Sequence, residues 1–161
     1  MQLLKKEEST KKNFDKSEKL LLSLVNNLPQ VFWLTSTKDY EKVEYISSSF
    51  EDIWQIKPNE IYEDPRIWTK NIHEEDRQRV SKEFERFKEG KEEYFTEYRI
   101  VRKDGSIRWI LDKAFWIKND QGKIERLAGI AEDITERKKH DENIKESELR
   151  YRELYNNMST C

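Results

Sequence analysis

The sequence predicts an α+β domain on a five-stranded antiparallel sheet, with short helices and one long helix on one face and a flanking helix at each end. Three observations lead there. All five Trp lie between Trp33 and Trp116, so the large apolar side chains gather in a core with charged flanks. Within that core the hydrophobic period runs strand, strand, short helices, helix, then three strands. The last three strands are joined by tight-turn sequences, Asp104-Gly105 and Asn119-Asp120-Gln121-Gly122.

The elements follow in order. A helix is expected from about Lys6 to Leu28, where Phe14, Leu21 and Leu28 make a heptad-like seam with Leu24 and Val25 between them. Pro29 stops it. Val31 to Leu34 is rich in β-formers and reads as a strand; a polar turn, Ser36 to Lys42, leads to a second strand at Val43 to Ser47. Residues 48–72 read as short helices and loops, interrupted by Pro58 and Pro65. An amphipathic helix spans Glu74 to Lys88, with Val80, Phe84 and Phe87 as its buried stripe and Gly90 after its end. Strands are expected at Tyr94 to Arg102, Ser106 to Ile117 and Lys123 to about Ile134. Thr135 then reads as the N-cap of a last helix, with Glu136 at the first position. The resulting division is 1–28 for an N-terminal linker helix, 29–135 for the core domain and 136–161 for a C-terminal linker.

Composition removes several function classes. Thirty-one basic residues against 33 acidic ones, with alternating signs, leave no basic patch for nucleic acid. Cys161 is the only cysteine, so an internal disulfide and a Cys-based zinc site are both excluded. No apolar run approaches the roughly 18 residues that span a bilayer, and no signal-peptide pattern is present. A cytoplasmic protein without direct membrane contact is the expectation.

Strand 106–117 carries apolar residues on both parities: Ile107, Trp109, Leu111, Phe115 and Ile117 on one, Ile110, Ala114 and Trp116 on the other. A sheet with one wet face would alternate cleanly, so both faces should be covered. The core helices cover one side; the flanking helices or a second copy should cover the other. The two ends also resemble each other. Asn13–Leu28 aligns with Asn143–Met158 at an offset of 130 residues, with Ser17/Ser147, Glu18/Glu148, Leu24/Leu154, Asn26/Asn156 and Asn27/Asn157 identical. The seam returns as Ile144, Tyr151 and Met158. That period is one domain length.

Four stretches, in this order and spacing, carry a family resemblance: Asn71–Arg79 (NIHEEDRQR), Glu97–Trp109 (EYRIVRKDGSIRW), Gly129–Lys138 (GIAEDITERK) and Leu149–Asn157 (LRYRELYNN). Together they resemble the PAS family with its C-terminal PAC motif over about residues 17–138, the last stretch looking like the start of a second PAS repeat. Glu74 departs from the pattern, since many relatives place Pro after the His. The resemblance implies a sheet curved around a small pocket, with signals leaving through the terminal helices. It further implies a non-catalytic sensory module of a multidomain protein such as a sensor histidine kinase, sensing a small-molecule or redox signal and/or mediating dimerisation, and feeding a kinase, cyclase or transcriptional output in the same chain. A homodimer through the flanking helices and the outer face (Trp109, Leu111, Phe115) is expected.

Under that resemblance, strand parity puts Tyr98, Ile100, Ile110, Asp112, Ala114, Trp116, Gly129 and Ala131 on the pocket face. Trp54 and Trp68 are pocket candidates that also read as core. Asp112 must be paired, protonated or at a wet rim; a rim salt bridge with Arg99, Arg108 or Lys113 is expected, the alternative being a ligand's amine or hydroxyl. Trp109, Asp133 and Thr135 are the expected relay at the joint between last strand and linker helix. No cofactor is expected, and an unknown small ligand stays open. The Tyr62–Trp68 segment lacks the reactive Cys of flavin photosensors, and Ile100, Ile110 and Ala131 stand where a flavin would need polar groups. For haem, His73 reads as a helix cap and His140 lies in the linker; no cluster has metal-ligand spacing. Two alternatives stay open: a pocket enzyme using Asp112 and Tyr98 for proton transfer, or a ligand-free scaffold in which Trp116 fills the room left by Gly129 and Ala131.

Overall fold

The computed structural model describes residues 2–37 and 42–158, with side chains from Lys11 onward. Residues 38–41 of the expected turn and the C-terminal Ser159-Thr160-Cys161 lie outside the described residues. The elements are α1 (Gln2–Asn26), β1 (Val31–Ser36), β2 (Val43–Ile46), α2 (Ser49–Trp54), α3 (Pro58–Glu63), α4 (Ile67–Lys70), α5 (Glu74–Lys88), β3 (Tyr94–Val101), β4 (Ile107–Lys118), β5 (Ile124–Asp133) and α6 (Thr135–Met158). All strand pairings are antiparallel, in the order β2-β1-β5-β4-β3. The last strand is thus central with the first beside it, which brings the start of β1 and the end of β5 to one region of the sheet.

Local chemistry explains the boundaries. His73 Nδ1 accepts the Glu75 N–H at 3.3 Å and caps α5; acidic Glu74, Glu75 and Asp76 open the helix while Arg86 and Lys88 close it, as the helix dipole favours. Gly105 and Gly122 take φ of +82° and +76° at the two hairpin turns, a region that favours glycine. Beside them Asp104 Oδ1 accepts the Ser106 N–H, and Asn119 Oδ1 those of Gln121 and Lys123.

Register sorts the sheet into two faces. Thr96, Asp112, Ala131 and Val31 stand in one row across four strands, and Tyr94, Ala114, Gly129 and Trp33 in the next. This face meets Phe50, Ile53, Trp54 and Ile61 of α2 and α3, and Val80 and Phe87 of α5, in the core. Asp76 ties α5 to β3 by accepting the Arg99 backbone N–H and its guanidinium, all at 2.9 Å.

The outer face is another matter. Leu111 is buried, but Phe95, Ile107 and Phe115 are about half exposed or more. Of the two expected covers, the flanking helices or a second copy, the described helix residues supply only the first turn of α6, whose Lys138 lies over the Trp109 ring. The flanking helices stand away from the core with their seams in solvent: Phe14, Leu21, Ile144, Tyr151 and Met158 are all exposed. Each is fastened at its root: in α1, Asn26 Oδ1 accepts from Tyr45 Oη and the Ser48 N–H, and in α6, Thr135 Oγ1 accepts the Trp109 N–H. Among the described residues no helix is long and apolar enough to cross a membrane.

Candidate functional site: a cavity and a joint

Between the inner face and α2–α5 lies a cavity of about 100 Å³. β1 supplies Val31, Trp33 and Thr35; β2 and α2 supply Val43, Ile46, Phe50 and Trp54; Trp68, Phe84, Tyr98, Asp112 and Ala131 contribute from α4, α5 and the remaining strands. Trp54, Trp68, Tyr98, Asp112 and Ala131 were pocket candidates from the sequence. Ile100, Ile110 and Trp116 are not on the lining. The two isoleucines are fully buried in the core, Ile100 bridged to Ile72. Trp116 is spent elsewhere: it stacks on Phe87 at 5.2 Å and donates Nε1–H to the Phe87 carbonyl at 2.9 Å.

Trp33 was one of several lining residues missed. Its indole lies over Gly129, its register partner, where a Cβ would come within 2.2 Å of Cζ2. Trp33, rather than Trp116, therefore takes the room that Gly129 leaves. From there its Nε1–H reaches Asp112 Oδ1 at 3.3 Å. On the other side Trp68 Nε1–H donates to Tyr98 Oη at 3.0 Å, and Tyr98 O–H donates to Asp112 Oδ2 at 3.1 Å. A pairing of tryptophan with the glycine across from it was readable only with the β1–β5 register in hand.

Asp112 is 2% exposed and makes none of the expected rim salt bridges. Parity is the reason for two of the three partners. Arg99 and Lys113 sit on the outer face, where Arg99 pairs with Glu75 and Asp76 and Lys113 lies over Phe95. Arg108 shares the inner parity but stands four residues, roughly 13 Å, along the strand, and pairs with Asp133. Burial drives the Asp112 carboxyl up to about 7, against the opposing effect of the Trp33 and Tyr98 hydrogen bonds. Burial and the nearby carboxylate push the Tyr98 phenol well above its ordinary range. Two more lining atoms, Thr35 Oγ1 and Trp54 Nε1, are buried without a hydrogen-bond partner. Such orphans cost stability unless an occupant serves them.

The joint between β5 and α6 is a second cluster. The Trp109 carbonyl accepts the Ile134 N–H at 2.8 Å, and the Trp109 N–H donates to Thr135 Oγ1 at 2.9 Å. Asp133 Oδ1 accepts the Thr135 N–H and its hydroxyl. The predicted N-cap role of Thr135 is thereby corrected. Helix bonding starts one residue earlier, with Lys138 N–H on the Ile134 carbonyl; the Thr135 hydroxyl is used to hold the sheet, and Asp133 does the capping. The Trp109 ring lies beneath Arg99 and Lys138, at 5.5 and 4.8 Å, and both Arg137 and Lys138 pair with Glu97 of β3. Among the described residues no group of His, Cys, Asp and Glu is placed to hold a metal ion.

Comparison with known proteins gives concordant findings. The family described as PAS fold matches residues 43–131. The methyl sulfide methyltransferase-associated sensor of Methanosarcina acetivorans is 26% identical over 129 residues, 80% of this chain and 13% of its own. The Escherichia coli protein named probable diguanylate cyclase DgcE is 34% identical over 107 residues, 56% of this chain and 10% of its own. This chain therefore spans about a tenth of the length of these curated relatives. A solved structure of a sensory box histidine kinase/response regulator from Burkholderia thailandensis superposes with a TM-score of 0.60 at 26% identity, covering 84% of this chain and 97% of that one.

Proposed function

Because this chain belongs to the PAS-fold family, we propose that it is a non-catalytic sensory module of a longer signalling protein, in which the state of the cavity is passed through the β5–α6 joint to α6. The observation that carries this reading is the fastening of α6 to β4. Trp109 uses both its backbone groups on residues 134 and 135, and three residues on, the same strand carries Asp112 of the cavity wall. A change in sheet curvature acts on α6 through this short path. Kinase or cyclase output is carried over from the relatives, and the likeness of Asn143–Met158 to Asn13–Leu28 supports a second PAS unit beyond α6.

Pairing of two copies through the exposed seams of α1 and α6 belongs to the same reading, because isolated amphipathic helices gain stability only by burying such stripes. No resident flavin or haem is part of it. An apolar cavity of 150 Å³ takes benzene, so about 100 Å³ is too small for a tricyclic or tetrapyrrole ring, and His73 is occupied as a cap.

The pocket-enzyme alternative has its pair within reach, Tyr98 and Asp112 at 3.1 Å. A phenol held so far above its ordinary range makes a poor proton acceptor or donor near neutrality, which favours a structural role for the bond. The test is an output assay of the full-length protein carrying Asp133→Ala or Thr135→Ala. Altered basal or stimulated output is expected; unchanged output in both variants would remove the relay.

A further inference from the structure

We infer that the cavity is a binding site for a small organic cation of the alkylammonium class, held by the Asp112 carboxylate within a wall of aromatic rings. This rests on the reading of the cavity as the sensory site and names its ligand class. Three independent features lead to it.

The first is charge. Among the described residues, Asp112 is the one carboxylate on the lining, and no Lys, Arg or His accompanies it there. Its two hydrogen bonds come from neutral donors, Trp33 and Tyr98. The other titratable groups facing it are Tyr98 and Tyr94 of β3. From α5, Arg79 reaches Thr96, the register partner of Asp112, at 2.8 Å, but that guanidinium also serves Glu83 and the Glu97 carbonyl. β1, β5 and α4 present Trp33, Ala131 and Trp68, none of them charged. A buried carboxylate without a cation is costly, and an occupant can supply the missing charge. An anion would meet only repulsion.

The second is the wall. Trp33, Phe50, Trp54, Trp68, Phe84 and Tyr98 all line the space. Aromatic faces attract organic cations, most strongly when water is excluded, and tryptophan is the best of them. A metal ion of the calcium or magnesium type would demand six or more oxygens, which this wall lacks.

The third is size. About 100 Å³ is somewhat smaller than the cavity that accepts benzene, and a tetramethylammonium ion has five heavy atoms. The unpartnered Trp54 Nε1–H and Thr35 Oγ1 leave room for one polar substituent or a water beside the cation.

Binding should also oppose protonation of Asp112. The burial that lifts its carboxyl to about 7 leaves it about nine-tenths ionised at pH 8 and one-tenth at pH 6, so cation affinity should fall about tenfold between them.

The experiment is calorimetric titration of the whole protein with tetramethylammonium chloride at matched ionic strength, against tert-butanol as a neutral molecule of the same size. Saturable binding of the cation, at least tenfold tighter than tert-butanol and about tenfold weaker at pH 6 than at pH 8, is expected. Asp112→Asn should abolish the preference. If that variant fails to fold, the pH dependence of the wild type still decides. Equal affinity for both probes, no uptake of the cation, or a flat pH profile would overturn the inference. A cavity that takes only tert-butanol sinks the cation and spares the sensor; unchanged output in the joint variants sinks the sensor instead.

Discussion

The indole of Trp33 fills the space that any side chain at Gly129 would need, and this contact is what delivers Trp33 Nε1 to Asp112. Gly129→Ala would place a Cβ 2.2–2.6 Å from three indole atoms, which requires Trp33 to move. Overpacking of this kind costs about 1–3 kcal/mol, and the displaced indole would also give up its bond to the carboxylate. Urea denaturation of Gly129→Ala should show that loss. A variant as stable as the wild type would mean that the indole leaves freely and does not define the cavity.

Asp112 should impose an unusual pH dependence on stability. Its native carboxyl titrates at about 7 against an ordinary 3.8, so between these values the folded chain holds a proton that the unfolded chain has released. Stability from this group is therefore fully present below about pH 4, declines as pH rises, and is gone above about pH 7. At about 1.4 kcal/mol per unit the total is on the order of 4 kcal/mol. Asp64 and Asp104, both drawn down to about 2 by hydrogen bonds, act in the opposite direction but only in more acidic solution. Asp112→Asn should flatten the curve between pH 5 and pH 8. Parallel curves for variant and wild type would show that the carboxylate is already ionised at pH 5.

How much of this was legible in the sequence follows from the range of each interaction. α5 runs from Glu74 to Lys88 as its periodicity indicates, because capping, helix dipole and an amphipathic stripe are all local. The three C-terminal strands end within about a residue of expectation for the same reason. Trp33 was invisible as a pocket residue because its place depends on β1 lying beside β5, a pairing between residues about a hundred positions apart. Parity correctly turned Asp112 inward, yet parity alone could not say that it would be buried, so a salt bridge was expected where one indole and one phenol donor stand. Thr135 reads as an ordinary cap until Trp109 is seen across from it. The apolar outer parity was real, but among the described residues the chain's own helices cover only its Trp109 end, where Lys138 of α6 lies over the ring.

The proposed dimer predicts a dependence on the exposed seams. Leu21 of α1 is 62% exposed, so Leu21→Asp should leave the folded core intact and act only on association. Light scattering across a concentration series should show a dimer for the wild type and a monomer for Leu21→Asp. A wild type that stays monomeric at high concentration, indifferent to the substitution, would leave the seams to another partner.

The final prediction separates the hydroxyl of Thr135 from its shape. Thr135 is buried, and Oγ1 both accepts the Trp109 N–H and donates to Asp133. Thr135→Val preserves volume and β-branching but removes both bonds, leaving the Trp109 amide without its partner in a part-buried place. Thr135→Ser keeps the hydroxyl and loses only a methyl group. An unmade bond of this kind costs about 1–2 kcal/mol, equivalent to opening that is about 5–30 times more frequent. Hydrogen exchange should therefore accelerate by about that factor in Thr135→Val, at Trp109 and along the first turn of α6. The amides of α5 should be unchanged, since no bond of that helix is touched. Thr135→Ser should exchange like the wild type. Were valine and serine to behave alike at Trp109, the hydroxyl would be no more than a filler at the root of α6, and the coupling of sheet to helix would have to run through Trp109's ring and the Glu97 ion pairs instead.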